Sequence, residues 1–124
     1  FYNSFANSVL NIKREMLDLL DTLKNKGKRI VGYGAAAKGS TLLNYFGVGE
    51  DYIDYIVDRS PYKQGRYMAG NHILIKAPDK VEQTRPDYIL ILPWNIKDEI
   101  MEQMVFIREW NGKFIVPIPK VIIT

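Results

Sequence analysis

The chain has 124 residues, 47% of them hydrophobic and 25% charged, with a net charge of +3 and a pI of about 9.1. This is the size of one globular domain with enough apolar residues for a core, and it excludes a disordered chain. There is no cysteine, which excludes a disulfide framework and thiolate chemistry, and no apolar run approaches the ~20 residues of a membrane span.

Residues 4–25 carry Phe5, Val9, Ile12, Met16, Leu19 and Leu23 at three- and four-residue steps, which predicts a long amphipathic helix. Gly27 is its stop signal. The chain begins at Phe1 inside this pattern, so a piece of a longer protein is expected. In that reading residues 1–27 pack on the domain or connect it to an upstream one, and 1–124 form a single domain.

RIVGY (29–33) predicts a short buried strand, and residues 36–46 a helix closed by Gly47 and Gly49. IDYIVD (53–58) predicts a second strand. Residues 59–72 are a turn-rich basic loop, and ILI (73–75) a short strand. PDKVEQT (78–84) predicts a helix with Pro78 near its first turn. DYILILP (87–93) predicts a strongly apolar strand, residues 95–110 one helix, and KFIVPIP (113–119) a further strand that VIIT extends or follows. Strands alternating with helices, and apolar throughout, predict an α/β, Rossmann-like, doubly wound fold. The sheet is mostly parallel with helices on both faces, preceded by the long N-terminal helix.

The ligand edge of such a sheet lies beyond the carboxyl ends of its strands. GYGAAA (32–37) fits G-x-G-x-x-G/A with a strand before and a helix after it. Glycine allows close backbone approach, and the free N–H groups of a helix start attract anions. Asp58 ends the second strand near the spacing of a ribose-binding carboxylate. Lys38 stands in the first helical turn, where the dipole disfavours a cation unless a polyphosphate is bound. The turn is not the GxxxxGK[ST] loop of nucleotide triphosphatases, because Lys38 precedes Gly39.

Residues 27–49 and 59–78 contain no Asp or Glu. This suits a local anionic ligand better than nucleic acid. Arg59, Lys63 and Arg66 follow the second strand and can hold phosphate oxygens, and Tyr62 and Tyr67 can stack on a base or sugar. Trp94 walls a pocket or packs; Asn95 caps the next helix or contacts a ligand. His72 is the single histidine, so neither a metal-ligand spacing nor a Ser/His/Asp constellation can be built.

GYGAAAKGSTLLNYFG, YIVDRSPYKQGRYMAGNHI, PDYILILPWNIKDEI and GKFIVPIP, in this order over residues 4–120, resemble the C-terminal domain of sugar C-methyltransferases, which act on nucleotide-linked deoxysugars. The resemblance implies a Rossmann-like C-terminal domain that helps bind a nucleotide-diphosphate sugar. It also implies an upstream domain of the same chain that binds S-adenosylmethionine and supplies the base, and a structural zinc further upstream. No cofactor is then expected on this domain itself, nor any methylation by it alone. The compartment expected is the cytoplasm, with neither nucleic acid nor membrane as partner. The matching positions are Gly34, Ala35, Lys38 and Gly39 for the diphosphate edge, Lys63, Arg66 and Tyr67 for phosphate and nucleoside, and Trp94 and Asn95 for the cleft. The chain departs from the family pattern at Ala69-Gly70, where Pro-Gly is common, and in HILIKAP, where a proline is common. Both bear on loop rigidity and sugar preference. The competing readings are an NAD-type dinucleotide-binding domain and a scaffold that binds no small molecule.

Overall fold

The computed structural model describes residues 2–68, 70–118 and 121–124. Helix α1 runs Tyr2–Asn25. Met16, Leu20 and Leu23 of α1 are buried; the side chains of Phe5 and Val9, expected on the same stripe, lie outside the described residues. The helix closes as its sequence indicates: Gly27 N donates to Lys24 O and Lys28 N to Leu23 O, which satisfies its last carbonyls.

The remaining elements are β1 Ile30–Tyr33, α2 Ala37–Phe46, β2 Ile56–Val57, β3 Ile75–Lys76, α3 Lys80–Thr84, β4 Tyr88–Ile91, α4 Lys97–Gln103, β5 Lys113–Val116 and β6 Ile122–Ile123. One sheet carries all the strands in the order β3-β2-β1-β4-β5-β6. Every pairing is parallel except β5 with β6. The order reverses at β1, between β2 and β4, which makes that point the natural ligand crevice.

Side chains alternate across the strands, and both faces are covered. Ile30, Ile56, Leu90 and Ile115 join Met16, Leu20, Leu43 and Phe46 on one face. Val31, Val57, Ile89, Ile91 and Phe114 join Val81, Ile100 and Ile107 on the other. This is why the central strands β1 and β4 carry no charged residue at any position. Each such fully buried side chain contributes about 1.5–3 kcal/mol of transfer free energy.

Several elements are shorter than their sequence pattern. The second strand pairs only at Ile56–Val57, although Asp54 N and Tyr55 O bond Ile30 O and Gly32 N. Among the described residues no helix covers the β2–β3 connection. Pro61, Gly65 and Gly70 interrupt it, and the chain folds back on β3 instead: Gly65 N donates to Ile75 O, Ile75 N to Arg66 O and Met68 N to Ile73 O, each at 2.8 Å. Pro78 lies before α3, not within it. The single helix expected over 95–110 is broken: Trp94–Ile96 and Val105–Trp110 are 3₁₀ turns flanking α4. The second break falls where Val105, Phe106 and Ile107, all poor helix formers, follow buried Met104.

Candidate functional site

Register brings the site together. Tyr33 stands level with Val57 of β2 and with Ile91 of β4, so Gly34, Asp58 and the Leu92-Pro93 step leave the sheet at one edge. Gly34 has φ +101°, and a Cβ there would meet Pro93 Cδ at 2.6 Å. The turn is therefore glycine by conformation and by contact. Its N–H donates to Val57 O at 2.9 Å.

Asp58 ends β2 as expected, but its carboxylate is turned into the protein. Oδ2 accepts the Ala35 N–H and Oδ1 the Ser60 N–H, both at 2.8 Å. Its carbonyl accepts Gln64 Nε2 at 2.8 Å. One residue thus ties the Gly-rich turn to the start of the basic loop.

Between turn and loop lies a cavity of about 420 Å³. Ala35, Ala36 and Ser40 form its turn side; Lys63, Arg66 and Tyr67 form its loop side. Among the described residues no carboxylate lines it. Tyr62 and Tyr67 are 85% and 62% exposed, so neither is held by the core, and both are available to a ligand. The first N–H groups of α2 have no intrahelical partner, and α2 has neither a side-chain cap nor an acidic residue in its first turn. The cavity thus combines a helix start with two cations, a setting that favours an anion.

Other expected residues go elsewhere. Gly39 is buried in the helix–sheet contact, where a Cβ would meet Leu92 Cβ at 3.0 Å, so glycine there permits close packing of α2. Lys38 does not join Lys63 and Arg66. It lines a separate cavity of about 450 Å³ with Thr41, Leu42, Tyr45 and Trp94. Trp94 is half-buried there, and Asn95 is exposed. Asn95 caps neither element: the 3₁₀ turn Trp94–Ile96 has Pro93 as its N-cap, and α4 has Ile96.

Arg59 faces the opposite side of the edge. It lines a third cavity of about 360 Å³ with Tyr33, Glu82, Gln103, Met104 and Phe106. Tyr33 Oη donates to Gln103 Oε1 at 3.0 Å. Burial raises the Tyr33 phenol above its ordinary pKa; Arg59 pulls it back and Asp58 adds to the rise. The phenol therefore stays a neutral donor at physiological pH. Sequence reasoning missed Tyr33 and Gln103. The available signal was alternation: Tyr33 is the last strand residue before the turn, and its neighbours Gly32 and Gly34 carry no side chain.

His72 is exposed and touches Tyr67 edge to face, with ring centroids 6.2 Å apart. Among the described residues no three His, Asp or Glu side chains are grouped so that they could hold a metal. Among the same residues no helix is long and apolar enough to cross a membrane.

A six-stranded sheet reversing at β1, with a glycine turn at the reversal, defines a Rossmann-like α/β domain. UDP-D-quinovosamine 4-dehydrogenase from Vibrio fischeri shares this fold, with a TM-score of 0.52 at 20% identity over 75% of this chain and 79% of that one. The family is shown by sequence: the C-methyltransferase C-terminal domain matches residues 1–119, and the chain belongs to that family. C-methyltransferase NovU of Streptomyces niveus is 36% identical over 119 residues, 96% of this chain. The match spans 28% of NovU's length.

Proposed function

We propose that this domain holds a nucleotide-diphosphate sugar for a C-methyltransferase, with the diphosphate between the Gly-rich turn and Lys63 and Arg66. The observation that carries this reading is the 420 Å³ cavity, whose lining combines the start of α2 with two cations and no carboxylate. Arg66 can grip phosphate oxygens bidentately, and Lys63 adds a point charge. Ala35 and Ala36 let phosphate approach the backbone, and Tyr62 and Tyr67 lie against the attached groups. Arg59 and Asp58 border the same edge, Asp58 by shaping the turn. Lys38 of α2 and Trp94 line a cavity on the other side of that helix, where the rest of the protein, with exposed Asn95 next to Trp94, would meet the domain.

The whole protein would then be an S-adenosylmethionine-dependent C-methyltransferase of deoxysugar biosynthesis, acting in the cytoplasm. This chain is its single C-terminal domain, with residues 1–27 as the packing or connecting helix. S-adenosylmethionine, bound by an upstream domain, supplies the methyl group. This domain would only bind and orient the sugar nucleotide. An NAD-binding role is less well supported, since Asp58, the residue that would take the ribose hydroxyls, already spends both oxygens on backbone N–H groups.

Calorimetric titration of thymidine diphosphate into the wild-type chain and into a Lys63→Ala/Arg66→Ala variant tests the proposal. Charge-assisted hydrogen bonds contribute about 1.5–3 kcal/mol each, so affinity should fall at least ~10-fold while the melting temperature holds. Equal affinity in the two proteins would refute the assignment.

A further inference from the structure

The 360 Å³ cavity on the other side of the Gly-rich turn has no part in the reading so far. Its volume lies within the range of small-molecule pockets. The Gly-rich turn separates it from the basic cavity: Tyr33, in its lining, is two residues from Ala35, a reach of at most about 7 Å, and Arg59 follows Asp58, whose carboxylate holds the Ala35 N–H at 2.8 Å. One ligand can therefore lie across the turn and enter both cavities.

The two linings differ in chemistry. The basic cavity offers two cations and no carboxylate, which suits phosphate oxygens and gives nothing to hydroxyl or imide donors. The far cavity offers both kinds of group. Buried Met104 and half-buried Phe106 give it an apolar wall. Gln103 accepts from Tyr33 Oη at 3.0 Å, which orients its amide and leaves the NH₂ group to donate. Exposed Glu82 and Asp79 accept, and exposed Arg59 donates. A flat ring with carbonyl acceptors and N–H donors at its edge, carrying a hydroxylated sugar, matches this set.

We infer that the cavity formed by Tyr33, Arg59, Glu82, Gln103, Met104 and Phe106 takes the nucleoside of the nucleotide-sugar, with the base against Phe106 and Met104 and its polar edge on Gln103. This rests on the diphosphate reading above. It leaves Tyr62 and Tyr67 facing the sugar that is to be methylated.

The test is an NMR titration of the 124-residue chain with inorganic pyrophosphate, thymidine diphosphate and thymidine in turn, following backbone amides and methionine methyl groups. Pyrophosphate should shift Ala35, Lys63 and Arg66 alone. Thymidine diphosphate should add shifts at Gln103, Phe106 and the Met104 methyl, and thymidine at millimolar concentration should reproduce those added shifts. Loss of base stacking costs about 1–3 kcal/mol, so Phe106→Ala should weaken thymidine diphosphate about tenfold and leave pyrophosphate unchanged. Gln103→Ala, an exposed position on a helix, should do the same to a smaller extent without a folding defect.

Pyrophosphate shifts at the turn, with thymidine diphosphate adding nothing at Met104 or Phe106, would overturn the nucleoside assignment and leave the diphosphate site standing. Thymidine shifts at Met104 without any pyrophosphate response would uphold the pocket and remove the diphosphate site. Silence toward all three ligands would overturn both. An adenosine response equal to that of thymidine would support a nucleoside pocket without choice of base.

Discussion

The two sides of the Gly-rich turn are built from adjacent residues and differ in almost every physical respect. On the α2 side, Lys63 and Arg66 face a helix start across a cavity with no carboxylate in its lining. On the α4 side, Arg59 shares a cavity that has an apolar wall with Glu82 and Asp79. The sheet itself creates the division. Consecutive residues at a strand end point to opposite faces, so Asp58 turns toward the glycine turn and Arg59 away from it. A single parallel edge can in this way present an anion site and a mixed-polarity site a few ångströms apart. Substitutions at the turn should affect both sides, substitutions at the loop one side, and substitutions on the outer face of α2 neither.

The largest effect is expected from Gly34→Ala. The new Cβ would sit 2.6 Å from Pro93 Cδ at a φ of +101°. Left-handed strain costs about 1–3 kcal/mol, and overpacking a similar amount. A loss of about 3 kcal/mol in urea unfolding is expected, on the order of 10 °C in melting temperature. Both cavities lean on this turn, so pyrophosphate and thymidine responses should fall together. A variant as stable as wild type would show that Pro93 yields freely, and the turn could not then be the rigid wall between the sites.

A smaller and one-sided effect is expected at Asp58. Asp58→Ala removes the acceptors of the Ala35 and Ser60 N–H groups and frees the basic loop from the turn. A loss of about 1–2 kcal/mol follows for this half-exposed residue. Hydrogen exchange should quicken at both amides. Asp58→Asn keeps one carbonyl acceptor and should restore protection at one amide of the two. Diphosphate affinity should drop in the alanine variant, while thymidine alone still shifts Met104. Unchanged exchange at Ala35 would mean that the carboxylate does not hold the turn.

Much of this arrangement was legible in the sequence, and the illegible part has physical causes. The strands, the order of elements and the Gly-rich turn follow from apolar runs and glycine placement, because burial on both faces leaves an unbroken apolar pattern. The association of Ala35 with Lys63, Arg66 and Tyr67 was foreseeable, since strand ends of a parallel sheet share an edge. What could not be read was direction. Lys38, Gly39 and Ser40 are neighbours in sequence, yet a helix turns each by about 100°. Gly39 therefore meets Leu92, Ser40 meets the basic cavity, and Lys38 meets Trp94. Asp58 illustrates the same limit: its spacing is that of a ribose ligand, while its carboxylate serves the backbone. The broken helix over 95–110 reflects packing, with Met104 and Ile107 both buried against the sheet.

Lys38 gives the smallest expected effect and the finest test of the division. In the sequence it is the most conspicuous cation of the motif, and the family resemblance places it with the diphosphate. In the fold it is exposed, one residue inside the start of α2, and shares its cavity with Trp94 and Tyr45. A cation at a helix start is unfavourable by about 0.3–1 kcal/mol at low salt. Lys38→Ala should therefore raise stability by a few tenths of a kcal/mol, with alanine's helix propensity acting in the same direction. Thymidine diphosphate affinity should change less than about twofold, against the ~10-fold or greater loss expected for Lys63 and Arg66 together. Raising the salt concentration should erase the stability gain, since the dipole interaction is screened. If Lys38→Ala instead weakened the diphosphate as much as the Lys63/Arg66 pair does, the side chain would have to swing over the start of α2 on binding. The basic cavity and the Trp94 cavity would then be two halves of one site, closed by the ligand.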